Sequence, residues 1–267
     1  MDPASAAAPV VELAGLTRTF EKRVAVDSLD LVVRAGEFFA FLGPNGAGKS
    51  TTIRMMAGML RPSGGSARIL GIDVAADPLL VKRRIGVLPE EIQLYERLTP
   101  LETVHFSGSL YGIPHAEVKR RSGELFDLLE LSASDRGRLI IDFSMGMRKK
   151  VALACALLHG PEVLFLDEPF NGIDAVTTRA IKQALQQATG RGMTVFFSSH
   201  ILEQVERLCT RIGIIHEGRL RCLGTLHELR LASGAESGAT LEDVFVRIVG
   251  GDRAPKGTLD FLGQPGP

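Results

Sequence analysis

Residues 43–51 read Gly43-Pro44-Asn45-Gly46-Ala47-Gly48-Lys49-Ser50-Thr51 and satisfy the pattern G-x-x-x-x-G-K-[ST] at every specified position. The stretch meets the physical demands of a polyphosphate one by one. Gly43, Gly46 and Gly48 carry no Cβ, so the backbone can bend tightly and turn its N–H groups inward around an anion. Lys49 is a flexible point charge with reach to β- and γ-phosphates, and the Ser50 hydroxyl can join a Mg2+ shell. A helix starting near Lys49 presents unpaired N–H groups and its positive dipole end to the same phosphates. Upstream, Glu37-Phe38-Phe39-Ala40-Phe41-Leu42 is the short apolar run of a buried strand. A glycine-rich turn that matched by accident would lack this strand-before, helix-after context. The segment is a nucleotide site, and it sets the class as α/β.

Working outward, 267 residues at 45% hydrophobic composition provide for one large domain or two intimate subdomains with a sizeable core. Lys+Arg and Asp+Glu both number 31, so net charge offers no steering toward nucleic acid, and no nucleic-acid partner is expected. The basic runs Lys82-Arg83-Arg84, Lys119-Arg120-Arg121 and Arg148-Lys149-Lys150 read as exposed helical faces or helix ends. Cys155, Cys209 and Cys222 are widely spaced and read as isolated thiols in a reducing compartment. No run approaches the roughly 18–20 apolar residues of a membrane span. The first residues lack the basic start of a signal peptide, so a soluble, intracellular chain without its own anchor is expected.

Along the chain, short strands are expected over residues 10–16, 30–33 and 67–70, with a helix after the phosphate loop to about 60 and a further strand at 85–88. Residues 99–158 turn helical. Thr99-Pro100-Leu101-Glu102 carries an N-cap hydroxyl, a proline at the first helical position and a Glu three residues after the cap. Strand and helix then alternate over 163–166, 175–188, 194–197, 201–208 and 212–215. Such alternation implies a mostly parallel sheet with ligands at the carboxyl ends of its strands. A Gly/Ser/Ala stretch at 232–239 precedes an amphipathic segment at 241–249. The tails 1–9 and 250–267 read as disordered.

Val163-Leu164-Phe165-Leu166-Asp167-Glu168-Pro169 is an apolar strand ending in two acids. Asp167 can enter the Mg2+ shell while Glu168 serves as general base or water-orienting group. A solvated acidic strand end is the plainer alternative, but it would not be paired with a phosphate loop. A later strand ends at Ser198-Ser199-His200, where a histidine can bond a γ-phosphate and position water; the other five histidines read as structural. Phe143-Ser144-Met145-Gly146 opens a helix, and a Ser hydroxyl with a Gly N–H there forms an anion-binding surface or an ordinary N-cap. One chain has no need of two such helix ends for one nucleotide. The redundancy makes sense if this surface closes over nucleotide held by another subunit.

With these motifs in this order, residues 10–249 resemble the nucleotide-binding subunit of an ATP-binding-cassette (ABC) transporter. The resemblance implies a P-loop ABC ATPase fold: a mostly parallel sheet core, a small antiparallel β subdomain and a helical subdomain at about 91–160 within a domain of 10–231, followed by a C-terminal extension at 232–249. It places residues 43–51 at Walker A and 164–168 at Walker B. Ser144 and Gly146 fall at the signature motif, Asp174 at the D-loop and His200 at the switch histidine. Phe20 takes the place of the aromatic that stacks on adenine; its alternative is an edge-strand core residue. Glu90 stands where the family has its Q-loop glutamine, as a Mg2+ ligand or as a group facing a partner.

Four positions, in three motifs, depart from the family pattern. Met145 and Met147 replace a signature glycine and glutamine, Glu90 is a carboxylate that cannot donate a hydrogen bond, and Phe20 lacks a hydroxyl. The Ser-x-Gly-Met form, the Leu-Pro-Glu loop and the ending Leu241-Glu242-Asp243-Val244-Phe245 resemble the ABC-2 type export branch. The resemblance implies an ATPase that uses ATP and Mg2+, pairs head to tail with a second nucleotide-binding subunit, and sits peripherally on the cytoplasmic face of the membrane under an integral permease. The rival readings are a soluble cassette ATPase acting on ribosomes or DNA, which usually has tandem cassettes or a coiled-coil insertion, and a small-molecule kinase. The latter leaves the Ser144 and His200 segments unexplained.

Overall fold

The structure, a computed structural model, describes residues 7–236 and 238–250; the expected tails fall outside it over 1–6 and 251–267. The chain opens with a long hairpin, β1 (Pro9–Phe20) and β2 (Arg23–Arg34), then β3 (Phe38–Leu42), α1 (Lys49–Met56), β4 (Gly64–Ile69) and β5 (Ile72–Asp73). There follow α2 (Pro78–Arg84), β6 (Ile85–Leu88), α3 (Pro100–Leu110), α4 (His115–Leu128), α5 (Ala133–Arg136) and α6 (Met145–Leu158). The last part is β7 (Val163–Asp167), α7 (Ala175–Gly190), β8 (Thr194–Ser199), α8 (Leu202–Leu208), β9 (Arg211–His216), β10 (Arg219–Gly224), α9 (Leu226–Ala232) and α10 (Leu241–Phe245).

These strands form two sheets. The larger has the order β10-β9-β3-β8-β7-β6, parallel from β9 to β6 with β10 antiparallel at one edge. The smaller is antiparallel, β2-β1-β4-β5. Every residue of β3, β7 and β8 is buried, which is why they read as continuous apolar runs rather than alternating ones. Alternate side chains nevertheless serve opposite cores. Phe38, Leu42, Leu164, Leu166 and Phe197 join the core shared with α3, α4 and α6. Phe39, Phe41, Phe165 and Phe196 join the core shared with α1 and the small sheet, with Phe39 stacked on Phe196 at 5.2 Å between centroids.

The helix signals act as physical stops and starts. Thr99 and Glu102 form the expected reciprocal capping box on α3. The phosphate-loop helix ends at Met56, short of the expected position near 60. α2, unassigned from sequence, is capped by Asp77 with Pro78 in its first turn, and Lys82, Arg83 and Arg84 fill its last turn, where cations favour the dipole. The Arg148-Lys149-Lys150 run does not form an exposed face: Lys149 is 3% and Lys150 8% exposed. β10 is joined to β9 by Glu217 and Gly218, both at positive φ (51° and 77°), a tight hairpin connection. The segment at 241–249 is docked, with Leu241 and Val244 buried in the core beside α8 and α9. All three cysteines are free and half-buried, and burial pushes the Cys155 thiol up to about 12. Among the described residues no helix is long and apolar enough to cross a membrane.

Gly86 lies where β6 meets the end of α6. A Cβ there would sit 2.2 Å from the Ala156 carbonyl oxygen and 2.8 Å from Leu164 Cδ1. Gly86→Ala is expected to destabilise the fold by about 1–3 kcal/mol through this overpacking. Gly123→Ala on α4, where nothing lies within 4 Å, is expected to be neutral or to stabilise by up to about 1 kcal/mol. Urea unfolding of the two variants beside the parent checks both signs.

Candidate nucleotide site

Parallel pairing sets Leu42 opposite Ser199 and Asp167 opposite Ser198, so β3, β8 and β7 end at one level. The chain leaves β3 into the phosphate loop, β7 at Glu168 and β8 at His200, all at the same sheet edge. The loop is held by close approach. A Cβ on Gly43 would fall 2.4 Å from the Ile215 carbonyl oxygen, and one on Gly48, at φ +108°, 2.5 Å from that of Ala25. Phe20, Asn45, Gly46, Gly48, Lys49, Ser50, Thr51, Glu90 and Glu168 line a cavity of about 440 Å³ together with Arg23 and Ala25. That volume is of ligand-pocket size. Gly43, Pro44, Ala47, Asp167 and His200 are not among the residues that line the cavity at this edge.

Lys49 Nζ is nearly buried, donates to the carbonyl oxygens of Gly43 (2.7 Å) and Pro44 (3.3 Å), and lies 3.6 Å from Glu168 Oε1. Ser50 Oγ donates to Glu90 Oε2 at 3.3 Å. Asp167 accepts a 2.5 Å bond from Ser198 Oγ, which in turn accepts from the Glu168 amide at 3.2 Å. Glu168 is 4% exposed and adopts φ +48°, a left-handed conformation costly for a non-glycine residue. Its Oε1 is 2.8 Å from His200 Nδ1, and its Oε2 accepts from Asn171 Nδ2 at 3.4 Å. Beneath it, Lys149 Nζ donates to the carbonyl oxygens of Glu168 (2.8 Å) and Asn171 (3.0 Å). Burial lowers the Lys149 pKa, and the nearby Glu168, Glu90 and Asp167 charges oppose that shift. The arrangement puts the buried Glu168 carboxylate beside the loop lysine, with an imidazole on its flank.

Phe20 is 42% exposed at the end of β1 and lines the cavity, so it is not an edge-strand core residue; the Arg18 guanidinium lies over its ring at 4.5 Å. Ser144, Gly146 and Asp174 are not brought to this cavity. Ser144 Oγ caps α6 by accepting from the Met147 amide at 3.3 Å. Gly146 packs so tightly on the following loop that a Cβ would lie 2.1 Å from the Gly172 carbonyl oxygen. Asp174, at the D-loop position and counted by the resemblance among the nucleotide-site residues, is committed within its own chain to capping α7. It accepts from the Thr177 amide at 2.9 Å and pairs with Lys150 at 3.0 Å. The Thr177 and Lys150 hydrogen bonds, the amide's foremost, hold its carboxyl well below the usual range.

Sequence reasoning missed Arg23, Ser198 and Lys149. Arg23 Nη2 donates to the Gly46 carbonyl at 3.1 Å, but only the long hairpin brings it there. Ser198, two residues before His200 at a strand end, had a local signal.

The family profile described as ABC transporter matches residues 26–171. The chain is 36% identical over 228 residues to the linearmycin resistance ATP-binding protein LnrL of Bacillus subtilis, spanning 85% of this chain and 73% of that one. It is 39% identical over 225 residues to the daunorubicin/doxorubicin resistance ATP-binding protein DrrA of Streptomyces peucetius, spanning 84% and 68%. A solved ATP-binding subunit of an ABC transporter superposes with a TM-score of 0.84 at 33% identity, covering 90% of this chain and 99% of the other. A dimeric ATP-binding cassette in a post-hydrolysis state, bound to ADP and Pi, superposes at 0.75 with 25% identity, covering 81% and 98%. The chain therefore belongs to the ABC transporter family as an ATP-binding subunit, an ATPase.

Lys49 lines the cavity at the loop, where its ammonium is expected to meet the phosphates. Lys49→Met is expected to weaken ATP binding at least about tenfold, or 1.4 kcal/mol, while the fold is kept. Titration with a fluorescent ATP analogue, beside a far-UV CD spectrum, checks this.

Proposed function

We propose that the chain powers an exporter as one of two identical subunits that pair head to tail around ATP beneath an integral membrane permease, on the cytoplasmic face of the membrane. The observation that carries this reading is the buried Glu168 carboxylate set between Lys49 and His200 at the edge where the phosphate loop opens. Phe20 stacks on adenine, while Lys49 and the loop amides hold the phosphates. Glu168 orients a water and takes its proton as the water oxygen bonds the γ-phosphorus and the bond to ADP breaks. His200 holds the γ-phosphate end of the site. Ser144 and the Gly146 amide, remote from their own chain's cavity, serve the nucleotide of the second copy, with Asp174 at the seam.

The donor set fits Mg2+. The Ser50 hydroxyl and the Glu90 carboxylate touch and would hold the ion; Asp167, 2% exposed and bonded to Ser198 behind the cavity lining, would be the third hard oxygen ligand of the set. Among the described residues no three His, Cys, Asp or Glu side chains form a metal cage, so a bound ion would need phosphate oxygens and water besides these residues. The bound ion would offset charge on the phosphates. Glu90, unlike a glutamine, would bring a carboxylate to the phosphates, and the ion would offset the repulsion between them.

Two observations support the permease and the direction of transport. A hollow of about 300 Å³ lies beside the Glu90 loop, lined by Val87, Ile92, Leu94 and Tyr111 among others. On the same stretch, Tyr95 (63% exposed) and Phe106 (45%) pack edge to face, leaving apolar surface that suits a docked protein segment. The two relatives named above are described as resistance proteins, which favours outward movement of drug-like compounds.

Glu168→Gln is expected to reduce turnover to near background while ATP binding persists, so that the variant accumulates as an ATP-bound dimer on size exclusion. Near-normal hydrolysis removes Glu168 from its role. Mixing Lys49→Ala with Ser144→Arg chains is expected to rebuild one intact composite site per mixed dimer and to recover part of the activity. Mixtures that form dimers yet never exceed the sum of the separate mutants overturn the head-to-tail assignment.

A further inference from the structure

The first turns of α6 grip the segment that carries the catalytic acid at three points. Gly146 touches the Gly172 carbonyl closely enough that any Cβ would collide with it. Lys149 Nζ, on a side chain 3% exposed, donates to the carbonyl oxygens of Glu168 and Asn171 at 2.8 and 3.0 Å. Lys150 Nζ reaches Thr177 Oγ1 at 2.8 Å and Asp174 at 3.0 Å. The middle contact is the unusual one. A lysine is seldom this buried, and its ammonium is spent on two backbone carbonyls rather than on a carboxylate. One of those carbonyls belongs to Glu168, whose left-handed φ of +48° costs energy and persists only where the surroundings over-determine it. The other belongs to Asn171, whose side chain donates to the same carboxylate at 3.4 Å.

We propose that Lys149 is a positioning residue for hydrolysis: its ammonium fixes the strained Glu168 backbone and the Asn171 loop to the helix whose start, Ser144 and Gly146, is offered to the second copy. Lys149 does not line the cavity. It acts by holding the carboxylate at its angle to the site and by making that angle depend on where α6 sits. Closure of a second subunit on α6 is thereby passed to Glu168 through one rigid link. A single charged donor can hold both carbonyls, whereas losing it leaves two buried acceptors unpaired and the strained turn free to relax.

The inference rests on Glu168 being the catalytic acid, so the test includes that residue. Using the full chain, kcat and KM for ATP hydrolysis, affinity for a fluorescent ATP analogue, and Tm are measured for Lys149→Met, Lys149→Gln and Glu168→Gln. Misplacement of a catalytic group by about 1 Å costs on the order of a hundredfold in rate. Lys149→Met is therefore expected to lose kcat by about 10- to 100-fold. KM and analogue affinity should stay within about threefold, because the phosphate loop is untouched. Lys149→Gln, whose amide can still donate to a carbonyl, should fall between parent and Lys149→Met. A folded Lys149→Met with unchanged kcat overturns the proposal, as does a fall in kcat matched by equal loss of analogue binding, which is the mark of a purely structural residue. If Lys149→Met does not fold, Lys149→Gln decides by the same kcat-against-binding criterion. An active Glu168→Gln sinks the reading of Glu168 itself, while an inactive Glu168→Gln beside an unaffected Lys149→Met sinks only the role of Lys149.

Discussion

The shared register of β3, β8 and β7 is the constraint on which the site depends. Because these strands are parallel and buried on both faces, their alignment is fixed by aromatic side chains that have only one suitable core each. Phe38 meets Phe197 on one face, and Phe39 meets Phe196 on the other. A slip of one residue in β8 would exchange Phe196 with Phe197 between the cores and shift Ser198 away from Asp167. The same slip would carry His200 away from Glu168. Packing on the two faces of a sheet thus determines, at the sheet's end, which polar atoms can meet.

At that end the protein places groups that are costly alone. A carboxylate with 4% exposure needs cationic or hydrogen-bonding neighbours, and Glu168 has Lys49, His200 and Asn171 around it. Lys49 meanwhile donates two of its protons to the carbonyls of Gly43 and Pro44, tying the start of α1 back to the loop before it. The cation is thus positioned by the cradle it serves. The strained backbone at Glu168 belongs to the same economy: it aims the carboxylate across to Lys49 and His200, and the buried strand before it and the Lys149 contact behind it keep it from relaxing.

What the sequence disclosed was what is encoded locally. The phosphate loop, the acid pair after β7, and Ser198-Ser199-His200 after β8 each announce themselves by residue type and by the apolar run before them. The Thr99 capping box does so too, because both of its halves lie within four residues. Contacts made by long-range packing stayed hidden. Arg23 reaches Gly46 only because β1 and β2 fold into a hairpin beside the loop. Three consecutive cations at 148–150 look like solvent-facing charge, yet a helix turns about 100° per residue, and here Lys149 and Lys150 face inward to carbonyls and an acid that lie 19 or more residues away in sequence. β10 was obscured because an edge strand with Arg219 and Arg221 alternating outward resembles a polar loop.

The placement of Ser144 and Gly146 follows from the same packing. Their helix is built against the Glu168–Asp174 segment, so its N-terminus cannot swing toward the cavity of its own chain without breaking the Gly172 contact and unpairing Lys149 and Lys150. A helix end so fixed, capped by its own Ser144 and flanked by an exposed Met145, can serve an anion only if the anion is brought to it from outside. In the proposed pair the second copy brings it, held in its own phosphate loop. In that proposed pair, the rigidity that keeps α6 from its own chain's cavity is what would make it useful to its neighbour's nucleotide, because a docking surface that could yield would not transmit closure to Glu168. Intrachain packing and interchain catalysis are then one requirement: α6 must be immobile with respect to the catalytic acid for a second subunit's arrival to change what that acid can do.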